Sequence, residues 1–458
     1  MTHRLATYGV ISTSVRPGQE IRPTMRREPF PVAVNAAFYL AHPRLSGLDH
    51  EQISRGSAVQ YLKQVNILWA LAVFAGIFVL CAQMFRPQWL GVLNGALVSL
   101  ISFKLLVKPA ADNLLTELPA AAVLVWAAIA LLRFVRAPSI ASGALVGLAW
   151  GLLALTKASF FYICIVAFAL VGVFLWLRSR KEKTAGWSAL AGPARALGAL
   201  ALVFMLLCGA WMTRNFVHFG SLQLTERGGT VLFYRSLEME QSLAGAYYVW
   251  SPSVYRSWMG PLTGYTPADI EPGGQLSPLV RENPDSILAN RYEGRALYRA
   301  HIEAAGLDYE NMSRIEQQSF LGRSALKRFA GDPLNYIAWL PAYAYRGGFV
   351  AVRELRELRA IDPALPYHVT IVLFLNFLVV ACIGVVTMHD RYFAVFLLPA
   401  GLAAFHVLLT HNLSRYNEPL LPFFAIAAMI VLVFLTRRIS ALSGMAKRVG
   451  MLVRERSA

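Results

Sequence analysis

The sequence predicts an all-α, polytopic membrane protein. Three observations carry that expectation. Hydrophobic residues make up 56% of the 458-residue chain against 15% charged, mean hydropathy is +0.48, and the apolar residues gather into long runs instead of recurring at amphipathic spacing. The same arithmetic excludes disordered, collagen-like, coiled-coil and small disulfide-bonded architectures.

Taken in order, apolar runs occupy about 65–83, 89–107, 118–132, 140–157, 160–177, 196–212, 368–388, 392–410 and 417–436, which predicts about nine spans. The runs 160–177 and 196–212 are the clearest. At 1.5 Å per residue each needs only a flanking residue or two to cross a hydrocarbon core about 30 Å thick. Five regions follow. Residues 1–62 read as an outward N-terminal loop with interfacial helices, 63–213 as the first six spans, 214–366 as a periplasmic or extracytoplasmic segment, 367–437 as the last three spans, and 438–458 as a basic cytoplasmic tail. Within 214–366, residues 229–280 are rich in Gly, Pro, Tyr and Trp and read as irregular, 286–330 as helical, and 333–350 as an aromatic interfacial stretch.

Net charge is +17, from 43 Lys and Arg against 26 Asp and Glu. Its distribution argues against nucleic acid as a partner. The short segment 178–195 holds Arg178, Arg180, Lys181, Lys183 and Arg195 against Glu182, and the tail is equally lopsided, whereas 214–366 carries 16 basic and 16 acidic residues. Excess positive charge confined to short loops is the mark of a cytoplasmic side, which orients the long segment outward and predicts a multi-pass inner-membrane protein with its active face outward. On that orientation residues 1–62 must be exported with no hydrophobic span before them, although Arg4, Arg16, Arg22, Arg26 and Arg27 resist export; the expectation is that an N-terminal span is missing, either because the start lies further upstream or because the chain is naturally shortened.

Charged and polar residues collect at the predicted outward ends of the spans, where hydrocarbon makes them costly to keep without a partner or a role. They are Asp112 and Glu117 in KPAADNLLTELP, Lys157 in LLALTKASFF, Arg214, Asn215 and His218 in WMTRNFVHFG, and His411, Arg415 and Tyr416 in LLTHNLSRYNEPLLP. Each has a plain alternative. Lys157 could snorkel from a helix end, Glu117 could favour the helix N-terminus it opens, and Arg415 and Tyr416 could anchor the interface; Arg26 and Arg27 share that ambiguity. Together, several cations and a few carboxylates on one face predict an anionic headgroup as substrate. His218 and His411 with Glu117 have no metal-ligand spacing, and Cys81, Cys164, Cys208 and Cys382 lie in apolar runs as buried thiols. The chain has no phosphate loop, dinucleotide fingerprint, HExxH or GxSxG.

In this order the segments resemble the polytopic glycosyltransferases of the GT-C type, specifically the bacterial relatives of protein O-mannosyltransferases and of the lipid A aminoarabinose transferase. LATYGVISTSVRPGQEIRPTMRREPFPVAVNAAFY resembles that family's first outward loop, DNLLTELPAAAVLVWAAIAL its outward Glu opening a span, GLAWGLLALTKASFF its Gly-rich span closing in Thr-Lys, GAWMTRNFVHFGSLQLTERGGTVLF its Arg-Asn and Gly-Gly stretch, and RYNEPLLPFFAIAA its Arg-Tyr-x-x-Pro step into a late span. The resemblance implies a GT-C-like helical bundle. It implies transfer of a sugar from a polyprenyl-phosphate donor lipid to an envelope glycan, lipid or protein acceptor at the outer face of the membrane, with membrane lipids as surroundings. Glu117 and Asp112 would then be the catalytic carboxylates, and Arg27, Lys157, Arg214, Arg415 and Tyr416 the donor-binding residues. A divalent cation is admitted by the family, and no other cofactor is implied. The family's usual catalytic Asp sits upstream of the motif matching LATYG, where this chain has no acidic residue. The other readings are a membrane transporter, which would favour internal pseudo-symmetry, and a GT-C-like assembly protein without turnover.

Overall fold

The computed structural model describes residues 2–12, 23–25, 27–54, 57–181, 187–226, 228–280, 291–350, 352–410, 412 and 414–457. Among these residues there is no strand. We number the principal helices α1 (Pro29–Ala41), α2 (Ala58–Met84), α3 (Gln88–Ala111), α4 (Glu117–Arg136), α5 (Ile140–Ala154), α6 (Ser159–Arg180), α7 (Ala191–Phe219), α8 (Gly228–Glu238), α9 (Leu243–Trp250), α10 (Ser253–Thr263), α11 (Arg291–Ala304), α12 (Arg314–Gly331), α13 (Pro333–Gly347), α14 (Leu365–Thr387), α15 (Asp390–Leu409) and α16 (Leu421–Ser457).

Eight of them, α2, α3, α4, α6, α7, α14, α15 and the first part of α16, are long and apolar enough to cross a bilayer. The ninth predicted run forms α5, a helix of only 15 residues. At 1.5 Å per residue it is about 22 Å long, short of a hydrocarbon core about 30 Å thick. It ends at Ala154 with Leu155 as its C-cap, and Thr156 turns its hydroxyl back to donate to the Leu152 carbonyl at 2.7 Å. The consequence for function is that Lys157 stands half-buried in the turn just past this short helix.

Helix α4 is the centre of the bundle, with 89% of its apolar window buried inside the protein. Alanines 120, 121, 122, 127, 128 and 130 let neighbours approach closely, and α2, α5, α15 and the 3₁₀ turn Ser414–Leu420 pack around it. Small residues of this kind are what brings helices together in lipid, where apolar burial alone gives no advantage. The same device joins α5 to α7. A Cβ on Gly143 would lie 2.1 Å from the Ala196 carbonyl oxygen, one on Gly147 2.4 Å from that of Leu200, and one on Gly151 2.6 Å from Leu207 Cδ1. Glycine at every fourth residue thus opens a groove in which the backbone of α7 lies. Ring contacts tie the remaining spans: Phe174 of α6 stacks on Phe393 of α15 at 4.6 Å, and Phe377 of α14 meets Phe424 of α16 at 4.8 Å with the rings tilted by 43°. Outside this core, Leu71, Val166, Leu206, Val379 and Leu435 are exposed, as lipid-facing side chains must be.

The chain between α7 and α14 has a core of its own, with Tyr248, Leu276, Leu279, Trp339 and Tyr343 at its centre. Residues 229–280, read from composition as irregular, instead contain α8, α9 and α10. Gly and aromatic residues lowered the local helical signal, and tertiary packing and the Ser242 cap, whose hydroxyl accepts from the Gly245 N–H at 3.1 Å, override it. The expected helix over 286–330 is two helices, α11 and α12, separated by Gly306 at φ +75°; the residues between 281 and 290 lie outside those described. Cys81, Cys164 and Cys208 are buried as expected, but Cys382 is exposed on α14, because an apolar run has a lipid face as well as a core face.

The bundle has two distinct ends. Arg86, Arg136, Arg178, Asp390 and Arg391 meet at one, joined by an Arg178–Asp390 ion pair at 3.2 Å. Glu28, Glu117, Lys157, Arg415 and Glu418 meet at the other.

Candidate functional site

Three glutamates lie at helix starts or just before them, within two residues of a proline: Glu28 before Pro29 of α1, Glu117 two positions before Pro119 of α4, and Glu418 before Pro419 late in the 3₁₀ turn that leads into α16. Proline loses nothing in a first helical turn, where its missing N–H would be unpaired, and a carboxylate there is favoured by the helix N-terminus. The fold brings all three acids together. Each lies within electrostatic reach of the Lys157 ammonium, which also feels Arg415.

Lys157 is held by backbone on two sides. Its Nζ donates to the Tyr416 carbonyl at 3.3 Å and stands 5.5 Å from the centre of the Tyr416 ring. On the other side, the N-terminal segment docks on the α5–α6 turn: the Phe30 N–H donates to the Leu155 carbonyl at 3.1 Å, and the Ala158 N–H donates to Glu28 Oε1 at 3.4 Å. Burial pulls the Lys157 ammonium below the ordinary lysine range, while Glu117, Glu28 and Glu418 oppose that loss and Arg415 adds to it. A lysine among three carboxylates stays chargeable, and an anion entering beside it would find a cation that is only partly hydrated.

Glu117 is 6% exposed, and its Oε2 is buried with no hydrogen-bond partner among the described residues. A buried acceptor left open is expensive unless something fills it, at about 1–3 kcal/mol or more. Arg415 is exposed, with its guanidinium 5.8 Å from the Tyr416 ring centre, and Tyr416 is half-buried. Lys157, Glu117, Arg415 and Tyr416, expected from sequence to share one face, therefore share one site.

The remaining expected residues are placed elsewhere. Asp112 is 86% exposed in its side chain and faces Lys63 at 3.9 Å, beside the turn that Asn66 holds through the carbonyls of Ala110, Ala111 and Asn113. Arg214 donates to the Thr24 carbonyl at 3.2 Å and lies 4.6 Å over the Trp211 ring, so it ties the N-terminal segment to α7. Arg27 is half-buried and next in chain to Glu28. His218 is exposed. Arg26 and His411 lie outside the described residues. Among the described residues no group of three His, Cys, Asp or Glu side chains is placed to hold a metal ion, and no chemical step below is routed through one.

Sequence reasoning missed Glu28 and Glu418, whose signal is the repeated Glu-Pro step at a helix start. It also missed the polar network that supports the site. Glu238 of α8, 1% exposed, accepts from the Tyr343 hydroxyl at 2.9 Å and from Arg346 at 3.0 Å. Burial raises the Glu238 carboxyl above the usual carboxylate range, and Arg346, Tyr343 and Arg235 draw it back. Arg235, fully buried, donates to the carbonyls of Val407 and Thr410 at 2.6 Å. Asn412 donates to the Tyr343 carbonyl at 2.7 Å, and Asn417 donates to the Gly347 carbonyl at 3.1 Å, to Asn412 Oδ1 at 3.2 Å, and pairs with His406 at 3.1 Å. Asn417 lies between Tyr416 and Glu418, so this network fixes the turn that carries both.

No known family matches the sequence, and no curated protein matches it. Among solved structures the chain is similar to ArnT from Cupriavidus metallidurans bound to undecaprenyl phosphate, with 15% identity and a TM-score of 0.31 over 93% of this chain and 72% of that one. A likeness of that size leaves the site to be read from its own residues.

Proposed function

We propose that the protein is a membrane glycosyltransferase of the GT-C type that moves a sugar from a polyprenyl-phosphate donor to a hydroxyl-bearing envelope acceptor at the outer face of the inner membrane. The observation that carries this reading is the half-buried Lys157 within electrostatic reach of Glu117, whose Oε2 has no hydrogen-bond partner among the described residues, and of Arg415 and Glu418. The five sequence segments that resemble GT-C enzymes supply the donor class.

Positive charge and negative charge have separate tasks in such a transfer. The donor phosphate meets Lys157 and Arg415, and the lipid chain lies along the apolar faces of the spans. The acceptor oxygen forms a bond to the anomeric carbon as the bond from that carbon to the phosphate oxygen breaks; polyprenyl phosphate leaves with the electron pair, and the acceptor proton passes to a carboxylate, for which Glu117 is the best-placed group. Cations already fixed at the leaving phosphate stabilise the charge that grows on it, and contacts of this kind are worth about 3–4 kcal/mol each. Glu28 and Glu418 favour the charged form of Lys157.

The test is transfer from polyprenyl-phosphate sugars to membrane acceptors, measured with protein abundance, for the wild type, Lys157→Ala and Glu117→Gln. Both variants should insert normally and lose on the order of a hundredfold in transfer. Near-normal transfer by both would return Lys157 to snorkelling and Glu117 to helix capping.

A further inference from the structure

The end of the bundle remote from Lys157 contains a cleft that the transfer reaction does not use. Helix α4 runs from Glu117 to Arg136, and 20 residues at 1.5 Å separate the two ends by about 30 Å. At the far end a cleft of about 530 Å³ is lined by Arg136, Thr387, Met388, His389, Asp390 and Arg391. The α14–α15 turn that forms its wall bends at Met388, φ +49°. Asp390, the one acid in the wall, is taken by Arg178 at 3.2 Å, and Arg178 also donates to the Val135 carbonyl at 2.9 Å. Arg136 and Arg391 lie close enough to repel one another, Asp390 offsets part of that repulsion, and Arg86 adds to it. Neither Arg136 nor Arg391 has a hydrogen bond or ion pair among the described residues. Arg437 is held beside Arg86 by a 2.8 Å bond to its carbonyl.

A general preference for positive charge on one side of a membrane requires no cavity and no convergence. Here arginines from two separate elements, the end of α4 and the start of α15, face one concavity in which Asp390, the one acid among the described lining residues, is ion-paired with Arg178 and shared electrostatically with Arg136. We infer that this cleft binds the phosphate group of an anionic glycerophospholipid from the leaflet remote from Lys157. Free phosphate would offer the same oxygens, but the surroundings favour the lipid: Val386, next in chain to the lining residue Thr387, is 77% exposed at the end of the apolar span α14. The lipid-facing side of that span leaves a surface for acyl chains beside the headgroup. Arginine, with its planar fork, suits a phosphate diester better than lysine does.

The experiment uses the full chain in nanodiscs of phosphatidylcholine alone or doped with phosphatidylglycerol, with lipid retention read by native mass spectrometry and thermal unfolding read in parallel. The wild type should retain phosphatidylglycerol over phosphatidylcholine by about tenfold or more, the scale of one good charge-assisted contact. The double variant Arg136→Gln with Arg391→Gln should lose that preference. The equally charged control, Arg133→Gln with Arg438→Gln, should keep it, since both residues are exposed and neither lines the cleft. Arg391→Lys, which keeps the charge and loses the fork, should fall between. No preference in the wild type, equal loss in both double variants, or displacement of the retained lipid by equimolar inorganic phosphate would overturn the inference. Should the cleft variant fail to fold, the wild-type preference, the phosphate competition and Arg391→Lys still decide it.

Discussion

Replacing Gly143 with alanine adds one carbon atom at a place where the structure has no room. The new Cβ would stand 2.1 Å from the carbonyl oxygen of Ala196 and 3.0 Å from its carbonyl carbon. Backbone cannot swing aside as a side-chain tip can, so α5 and α7 must separate by about 1 Å, and overpacking of this kind costs about 1–3 kcal/mol. Gly172 provides the comparison inside the same protein. It too lies in an apolar helix, but a Cβ there meets nothing within 4 Å, and alanine should gain up to about 1 kcal/mol of helix stability. The two substitutions therefore differ by about 1–4 kcal/mol for the same chemical change. Thermal unfolding in detergent should place Gly143→Ala below the wild type and Gly172→Ala at or above it. Transfer should separate them further, because α5 carries Lys157 at its end and a shift of about 1 Å at a reacting site can cost about a hundredfold. Equal melting and equal transfer for the two variants would refute the groove packing and the positioning role assigned to α5.

Three further outcomes follow from the same structure. Because burial is the largest influence on Lys157 and lowers its pKa, kcat/KM should decline on an alkaline limb that begins below the ordinary lysine value of about 10.4, as the ammonium deprotonates. Lys157→Arg should move that limb to higher pH, and an unmoved limb in the pH–rate profile would assign it to another group. Arg346→Met leaves Glu238 buried without its 3.0 Å partner and should destabilise the protein by about 3–5 kcal/mol, read by thermal unfolding, with transfer falling as Tyr416 and Glu418 lose their support. In a cysteine-free background, a membrane-impermeant thiol reagent applied from outside should label Glu271→Cys and not Ala137→Cys; the reverse pattern would invert the proposed orientation.

The spans were legible because lipid imposes a simple rule, a long apolar run for every crossing, and eight of the nine expected runs are helices of crossing length. The exception is instructive. Hydropathy reads 140–157 as one run, but the helix stops at Ala154, since a terminus set by how a turn packs against Phe30 and Tyr416 leaves no mark in hydropathy. The shared position of Lys157, Glu117, Arg415 and Tyr416 could be anticipated by alternating the spans. Glu28 and Glu418 could not be found so easily: their Glu-Pro steps look like ordinary helix starts until the fold aims them at one lysine. Asp112 illustrates the opposite limit. Five residues from Glu117 and on the same predicted face, it lies across the α3–α4 turn against Lys63, because lateral position within a bundle is not encoded in depth. The Arg235–Glu238–Tyr343–Arg346 network joins residues more than 100 apart in sequence, a pairing that local spacing does not reveal.

The most direct test of the account is binding of a photoactivatable polyprenyl phosphate to the purified full chain, comparing Lys157→Met with Arg133→Gln, which removes a positive charge from the opposite end of α4. The account predicts saturable labelling of the wild type, unchanged labelling of Arg133→Gln, and labelling by Lys157→Met weakened on the order of a hundredfold, with cross-linked peptides from the α5–α6 turn and residues 414–420. Equal labelling of all three proteins, or cross-links confined to other segments, would contradict it.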